Sequence, residues 1–460
     1  MDSTVILDFG RLAGFSGRFG KINKSFKERH LTLTTFLILS GLVIVLLTGV
    51  PIFAGLGVTS IILMLFAEGS IGSIADTVFG KLDTGLLTAI PMFAFMAHIM
   101  IRSKVVDDLF AAANAMVRHL PGGLGVGTVL SCTVFAAISG SSVATALTIG
   151  SSAIPQMQRY GYRPSDSYGI VAAGGTLGIL IPPSGPLILY ALVTETSIGA
   201  LFLAGVIPGL ILALIFSLFC VVQGLAREDV ERLDWIGWPA CRKALGKSIW
   251  ALSLPPIVLG GIYFGVFTAS EAAAIGCVFA LIIAVCIYRN FSFRDLYETA
   301  YETVRTTAML FMILAAAAMF GYVVTIMRLP NELVEAVLEI GASPIAFIVA
   351  VMLVIFVLGM FLETIAIILI TTPIIFPVML ELGINPIWYG ILLMINLELA
   401  LITPPVGMNL FVIKGISGAN LDLIIRGIFP YVLLMLLGLI IVMVVPETAT
   451  WLPKAAGFGR

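Results

Sequence analysis

Two adjacent prolines inside an apolar stretch cannot be accommodated by a continuous helix, and this chain carries that arrangement twice. Residues 177–191 read LGILIPPSGPLILYA, and residues 399–413 read LALITPPVGMNLFVI. At a constant offset of 222 residues, Pro155, Gly161, Pro164, Pro182, Pro183, Gly185, Gly205 and Pro208 fall on Pro377, Gly383, Pro386, Pro404, Pro405, Gly407, Gly427 and Pro430. Proline removes a backbone donor and clashes with the preceding turn. Glycine tolerates left-handed backbone and close approach. A repeat carried by these two residue types preserves backbone shape while side chains drift. Helix breaks at matching points of two halves are the sequence pointer to the binding site of a secondary transporter.

Of the 460 residues, 60% are hydrophobic and only 11% charged. A soluble domain carries about 25% charged residues, so the chain reads as an all-α polytopic membrane protein embedded in a lipid bilayer. A net charge of −1, with the bases confined between apolar segments, offers no nucleic-acid surface. Five cysteines, Cys132, Cys220, Cys241, Cys277 and Cys286, lack CxxC or Cys/His spacing, so they are expected to be small packing residues. About 30 polar residues precede the first apolar run and no cleavage signature follows it, so no cleaved signal peptide is expected.

Spans of about 20 apolar residues fall near 33–50, 51–67, 85–101, 199–223, 248–266, 269–288, 306–326 and 421–445. Two longer composite stretches, 124–195 and 344–415, are left over. The chain then divides into a basic tail (1–30), a first repeat (31–225), a cytoplasmic loop (226–247), a second repeat (248–446) and a C-terminal tail (447–460). Each repeat holds a re-entrant hairpin, 122–157 or 344–380, and a broken helix, 166–195 or 388–415. The first hairpin has the polar tip Ser139-Gly140-Ser141-Ser142, tolerated at membrane depth only against protein or a water-filled cavity. The second has LGMFLETIA around Glu363 at its tip. Proline is welcome in a first helical turn, so Pro182-Pro183 and Pro404-Pro405 are each expected to end an unwound stretch and open a half-helix. Its positive N-terminal end can hold an anion, and the unwound carbonyls can hold a cation.

Five crossings per half invert the second repeat relative to the first. Every Lys and Arg from Arg102 to Arg294 then falls on one side, with Lys81 and Arg328 on the other. The charge bias puts the first hairpin on the cytoplasmic side and the second outside. The basic tail conflicts with this count. It forms an interfacial helix, or a span near 31–67 is miscounted, or partner spans enforce the topology. Segments 104–120 and 331–341 have the pattern of interfacial helices linking a moving core to a frame.

Ser139, Ser141, Ser142 and Thr145 on the first hairpin face Gly178, Ile181 and Pro183 in the first broken helix. Hydroxyls and freed carbonyls are hard oxygen donors that suit a dehydrated alkali cation, and without a carboxylate there a divalent ion fits less well. The bland alternative is close helix packing by small residues. The second constellation joins Gly359, Glu363 and Thr364 to Ala400, Thr403 and Pro405. Glu363, a carboxylate in an apolar run, is by default functional. It can bind a cation, contact substrate or carry a proton, or it can be a helix-end carboxylate reaching water. Candidate substrate contacts are Ser142, Thr145, Ser184, Glu363 and Asn409, with Asn409 orienting the substrate and Ser184 its counterpart. Glu398 is assigned equally to capping freed amides and to substrate contact. GGLGVGT at 122–128 has no preceding strand and no GK[ST], so it is not a phosphate loop. No His/Asp set activates the hairpin serines, and no catalytic residue is expected.

GTLGILIPPSGPLILYA (175–191) and NLELALITPPVGMNLFVIKGI (396–416), with the hairpin AAISGSSVATALTIGSSAIPQM, resemble the large membrane subunit of tripartite ATP-independent periplasmic (TRAP) transporters. The resemblance runs from about residue 31 to 450 and is specific, because two long motifs occur in order. It implies a fold like that of divalent-anion sodium symporters, with a scaffold and an elevator-like core. It implies uptake of C4-dicarboxylates, keto acids or sialic acid across the bacterial inner membrane, driven by sodium ions and not ATP. The implied partners are a periplasmic substrate-binding protein and a small four-span membrane subunit. Carried over by residue, the first sodium site takes Ser139, Ser142, Gly178, Ile181 and Pro183, and the second takes Glu363, Thr364, Thr403 and Pro405. Ala400 departs from the glycine common after NLE, which would strain a backbone needing positive φ. The rival readings are a proton- or sodium-coupled carboxylate carrier working alone, an intramembrane enzyme and an ion channel.

Overall fold

A computed structural model describes residues 37–38, 40–103, 105–227 and 233–458. The basic tail 1–30 lies outside the described residues. All regular structure among the described residues is helical. Eight helices are long and apolar enough to cross a membrane. The chain is a multi-pass membrane protein.

After a helical stretch at 40–47, the first half holds α1 (Ile52–Glu68), α2 (Ile74–Leu82), α3 (Ala89–Arg102) and α4 (Val105–Val117). The hairpin arms α5 (Gly123–Ser139) and α6 (Ser142–Arg159) follow, then the broken pair α7 (Pro164–Leu180) and α8 (Gly185–Thr194), and α9 (Ile198–Ala226). The second half has α10 (Trp238–Tyr263), α11 (Ala269–Ile282), α12 (Phe293–Ile326) and α13 (Leu329–Ile340). It then repeats the pattern as arms α14 (Pro344–Gly359) and α15 (Thr364–Glu381), the broken pair α16 (Pro386–Leu401) and α17 (Met408–Ser417), and α18 (Leu421–Val444), before α19 (Glu447–Ala455).

The repeated prolines and caps place these boundaries. Pro164 and Pro386 each occupy the first turn of their helix, where a missing N–H costs nothing. Asn385 caps α16 by accepting from the Ile387 and Trp388 amides at 2.9 and 3.1 Å. Ser141 caps α6 through the Ala144 amide at 3.3 Å.

Several boundaries differ from the expectation. The half-helices do not open on the Pro-Pro pairs but at Gly185 and Met408, so all four prolines sit in the unwound linkers. The segment 226–247 is not all loop: α10 starts at Trp238, burying Cys241 and Ser248, and Arg242, Lys243 and Lys247 along its first turns made that start read as loop. The tail 447–460 contains α19, which buries Ala449, Thr450 and Pro453.

Helices α7 and α16 form the centre. Every residue from Asp166 to Leu180 and from Trp388 to Leu401 is buried. Glycine permits this at one crossing in particular: a Cβ on Gly427 of α18 would lie 1.8 Å from the Ser165 carbonyl oxygen in the first turn of α7. The halves are thus packed through each other. Tyr190 of α8 donates to the Pro386 carbonyl at 2.8 Å, and Trp388 donates to that of Val442 at 2.8 Å. Outside this centre, Leu210, Leu214, Leu218 and Val222 of α9 form an exposed apolar stripe with helical spacing, a face suited to lipid.

Candidate functional site

Both hairpin tips and both helix breaks open onto one chamber of about 230 Å³. From the first half come Ser139, Gly140, Ser141, Ser142, Ile179 and Pro183. From the second come Glu363, Thr364, Leu401 and Met408. Phe93 of α3 and Thr306 of α12 close its sides.

The first tip is seated against the first break. Gly140 has φ 59°, and a Cβ on it would lie 2.3 Å from the Pro183 carbonyl oxygen. A Cβ on Gly178 would lie 2.5 Å from the Ser141 carbonyl oxygen. Ser139 Oγ and Thr145 Oγ1 are 2.9 Å apart, and Thr145 donates to the Ser141 carbonyl at 2.8 Å. This hydroxyl and carbonyl set is one of hard oxygens, and it fits an alkali cation. Thr145, Gly178 and Ile181 stand behind the lining. Ser184 is buried and its side chain accepts from the Leu187 amide at 3.5 Å, so it caps α8 and does not line the chamber.

The second tip is more open. Glu363 occupies the N-cap of α15 and lines the chamber beside Thr364. Gly359 rests on Ala400, whose Cβ would lie 2.6 Å from a Cβ on that glycine. Ala400 is helical and not at positive φ, so the feared strain does not arise. Positive φ falls instead on Gly407, at 56°. Thr403 donates to the Leu399 carbonyl at 2.6 Å, while Pro405 is exposed.

Glu398 is the residue whose placement sequence reasoning left open. It is fully buried on α16. One carboxylate oxygen accepts from Ser142 Oγ at 2.8 Å, and the other accepts from the Ile179 amide at 3.1 Å. Asn409, also fully buried, donates to Ser142 Oγ at 3.4 Å. Asn409 therefore touches the first hairpin and not the chamber itself. The available signal was a carboxylate deep in an apolar helix. Nothing pointed to Phe93 or Thr306.

The first residues of four helices reach the chamber: Ser142 of α6, Gly185 of α8, Thr364 of α15 and Met408 of α17. A helix N-terminus presents free N–H groups and a partial positive charge of about half a unit. Among the described residues, no Lys or Arg lines the chamber. The arrangement can hold an anion on helix ends and cations on hydroxyl and carbonyl oxygens.

Residues 39–448 match the family model described as tripartite ATP-independent periplasmic transporter, DctM component. The chain belongs to this family. Its TRAP relatives include the C4-dicarboxylate TRAP transporter large permease protein DctM of Pseudomonas aeruginosa, 41% identical over 86% of this chain and 92% of that protein. The protein of the same name from Vibrio cholerae is 37% identical over 91% of this chain and 96% of its own length. An isethionate TRAP transporter permease protein DctMQ from Oleidesulfovibrio alaskensis is 36% identical over 87% of this chain but 63% of its own length. The crystal structure of the Alcanivorax borkumensis YdaH transporter matches the fold with a TM-score of 0.57 at 14% identity, covering 85% of this chain and 89% of that one. The TRAP resemblance drawn from the Pro-Pro motifs is borne out.

Proposed function

We propose that this TRAP large permease imports a small carboxylate across the bacterial inner membrane by sodium-coupled elevator transport, with C4-dicarboxylates as the leading substrate class. The single observation carrying this reading is the convergence of four helix N-termini on one chamber that no basic side chain among the described residues lines. Helix ends hold carboxylates by backbone N–H groups. The names of the Pseudomonas and Vibrio relatives support the substrate class.

In this reading the first cation binds among Ser139, Ser141, Ser142, Gly178, Ile181 and Pro183. The second binds among Gly359, Glu363, Thr364, Ala400, Thr403 and Pro405. The first cation offsets substrate charge that the chamber's side chains leave uncompensated, while the second neutralises Glu363 beside it. Sodium entry releases about 2.3 kcal/mol per charge per 100 mV, which concentrates an acid without ATP. The repeats 31–225 and 248–446 are inverted, and their hairpins and broken helices move as a core against the rest. A periplasmic binding protein delivers the substrate, and a small four-span membrane subunit completes the frame. A fused relative named DctMQ supports that pairing.

The test is labelled succinate uptake into liposomes containing this chain and its small partner, with and without binding protein and an inward sodium gradient. Uptake should need both and fall at least tenfold in Ser142→Ala or Glu363→Ala, the loss of about one charge-assisted contact. Proton-driven uptake in sodium-free vesicles, or uptake indifferent to the binding protein, would favour a carrier working alone.

A further inference from the structure

A serine hydroxyl has one proton and two lone pairs, so fixing the proton decides what the hydroxyl can bind. Ser142 lines the chamber, and its Oγ meets two acceptors, Glu398 Oε2 at 2.8 Å and the Gly175 carbonyl at 3.0 Å. Both acceptors draw the proton into the protein, and the carboxylate is the closer of the two. Asn409 Nδ2 approaches one lone pair at 3.4 Å. What Ser142 presents to the chamber is then a lone pair.

Glu398 is held in place for this task. Its other oxygen is claimed by the Ile179 amide at 3.1 Å, and Ile179 also lines the chamber. No ion pair among the described residues includes Glu398. Asn409 Oδ1 is buried nearby without a hydrogen-bond partner.

We infer that Glu398 is a positioning residue: it holds the Ser142 proton away from the chamber and so makes Ser142 a cation ligand, not a donor to the substrate carboxylate. The inference rests on the sodium-coupled reading above. It assigns Ser142 to one of its two candidate roles and gives Glu398, from the other half of the chain, a part in the first cation site. Glutamine is nearly isosteric but has one acceptor oxygen for two donors. With Ile179 on that oxygen, its amino group would donate to Ser142, whose proton then goes to the Gly175 carbonyl; with Asn409 on the other lone pair, none is left for the chamber.

The experiment is a sodium titration of the purified full chain, without substrate and at constant ionic strength in potassium, read by the thermal unfolding midpoint. Glu398→Gln should raise the sodium half-saturation about tenfold or more, the equivalent of one charge-assisted hydrogen bond. A lowered sodium-free midpoint with half-saturation within about twofold of wild type would mark Glu398 as merely structural and overturn the inference. A wild-type chain with no sodium-specific shift would instead remove the coupling reading, and this inference with it. If Glu398→Gln does not fold, Ser142→Ala carries the test. Its sodium half-saturation should rise about tenfold, with that for succinate at saturating sodium within about threefold. The reverse pattern overturns the assignment.

Discussion

Replacing Gly140 by alanine tests whether transport depends on the seating of the first hairpin tip. The residue sits at φ 59°, and an added Cβ would lie 2.3 Å from the Pro183 carbonyl oxygen. Left-handed backbone costs an L-residue roughly 1–2 kcal/mol. An ordinary C···O contact is about 3.3 Å, so tip and break must separate by about 1 Å. Neither side of that contact is a flexible side-chain end. The separation falls between Ser139–Ser142 and Pro183, where the first cation is proposed to bind. A misplacement of about 1 Å at such a site lowers a rate by about a hundredfold. The assay is the initial rate of sodium-driven succinate uptake in proteoliposomes, alongside a thermal unfolding curve. Gly260→Ala on α10 is the control, because a Cβ there meets nothing within 4 Å, and its rate should stay within about twofold since alanine is the better helix former. A folded Gly140→Ala chain transporting at more than about a third of the wild-type rate would refute the seating argument, which requires a far larger loss.

Two further predictions concern the packing that holds the chamber. Gly427→Ala places a methyl group 1.8 Å from the Ser165 carbonyl oxygen; overpacking of this kind costs about 1–3 kcal/mol, which a lowered unfolding midpoint would reveal. Asp166, almost buried on α7, pairs with Arg227, whose side chain is 22% exposed. Asp166→Asn should cost about 2–3 kcal/mol, below the range for a fully buried pair because solvent reaches the arginine, and chemical denaturation would show whether it does.

Backbone punctuation was the legible part of this chain. Proline and glycine leave their mark on any sequence, and so Pro164, Pro386, Gly140 and the two Pro-Pro linkers located hairpins and breaks to within a few residues. Helix starts rich in charged residues were not legible. α12 begins at Phe293 and not near 306, because Ser292 and Asp295 form a capping box and Arg102 pairs with Asp295 at 3.2 Å and with Glu298. That charged first stretch looks like loop when read linearly. The expectation that no carboxylate stands by the first constellation failed for another reason. Glu398 reaches it from 256 residues away, and no periodicity encodes a contact between halves. Thr306 and Phe93 were invisible likewise, since an apolar helix does not announce which of its residues face a cavity.

The interlocking of the halves has a consequence for biosynthesis. Ser142 meets Glu398 only after 256 more residues have been made, and Ser165 meets Gly427 comparably late. At about 5–20 residues per second, the first hairpin waits roughly 13 to 51 s in the membrane before its polar tip finds its carboxylate. During that interval the faces of α6 and α7 have no native cover from α16, α17 and α18. Cross-linking of stalled nascent chains should find these faces bound to insertion machinery until the second half emerges, so the chain's folding clock is set by the distance between its two halves.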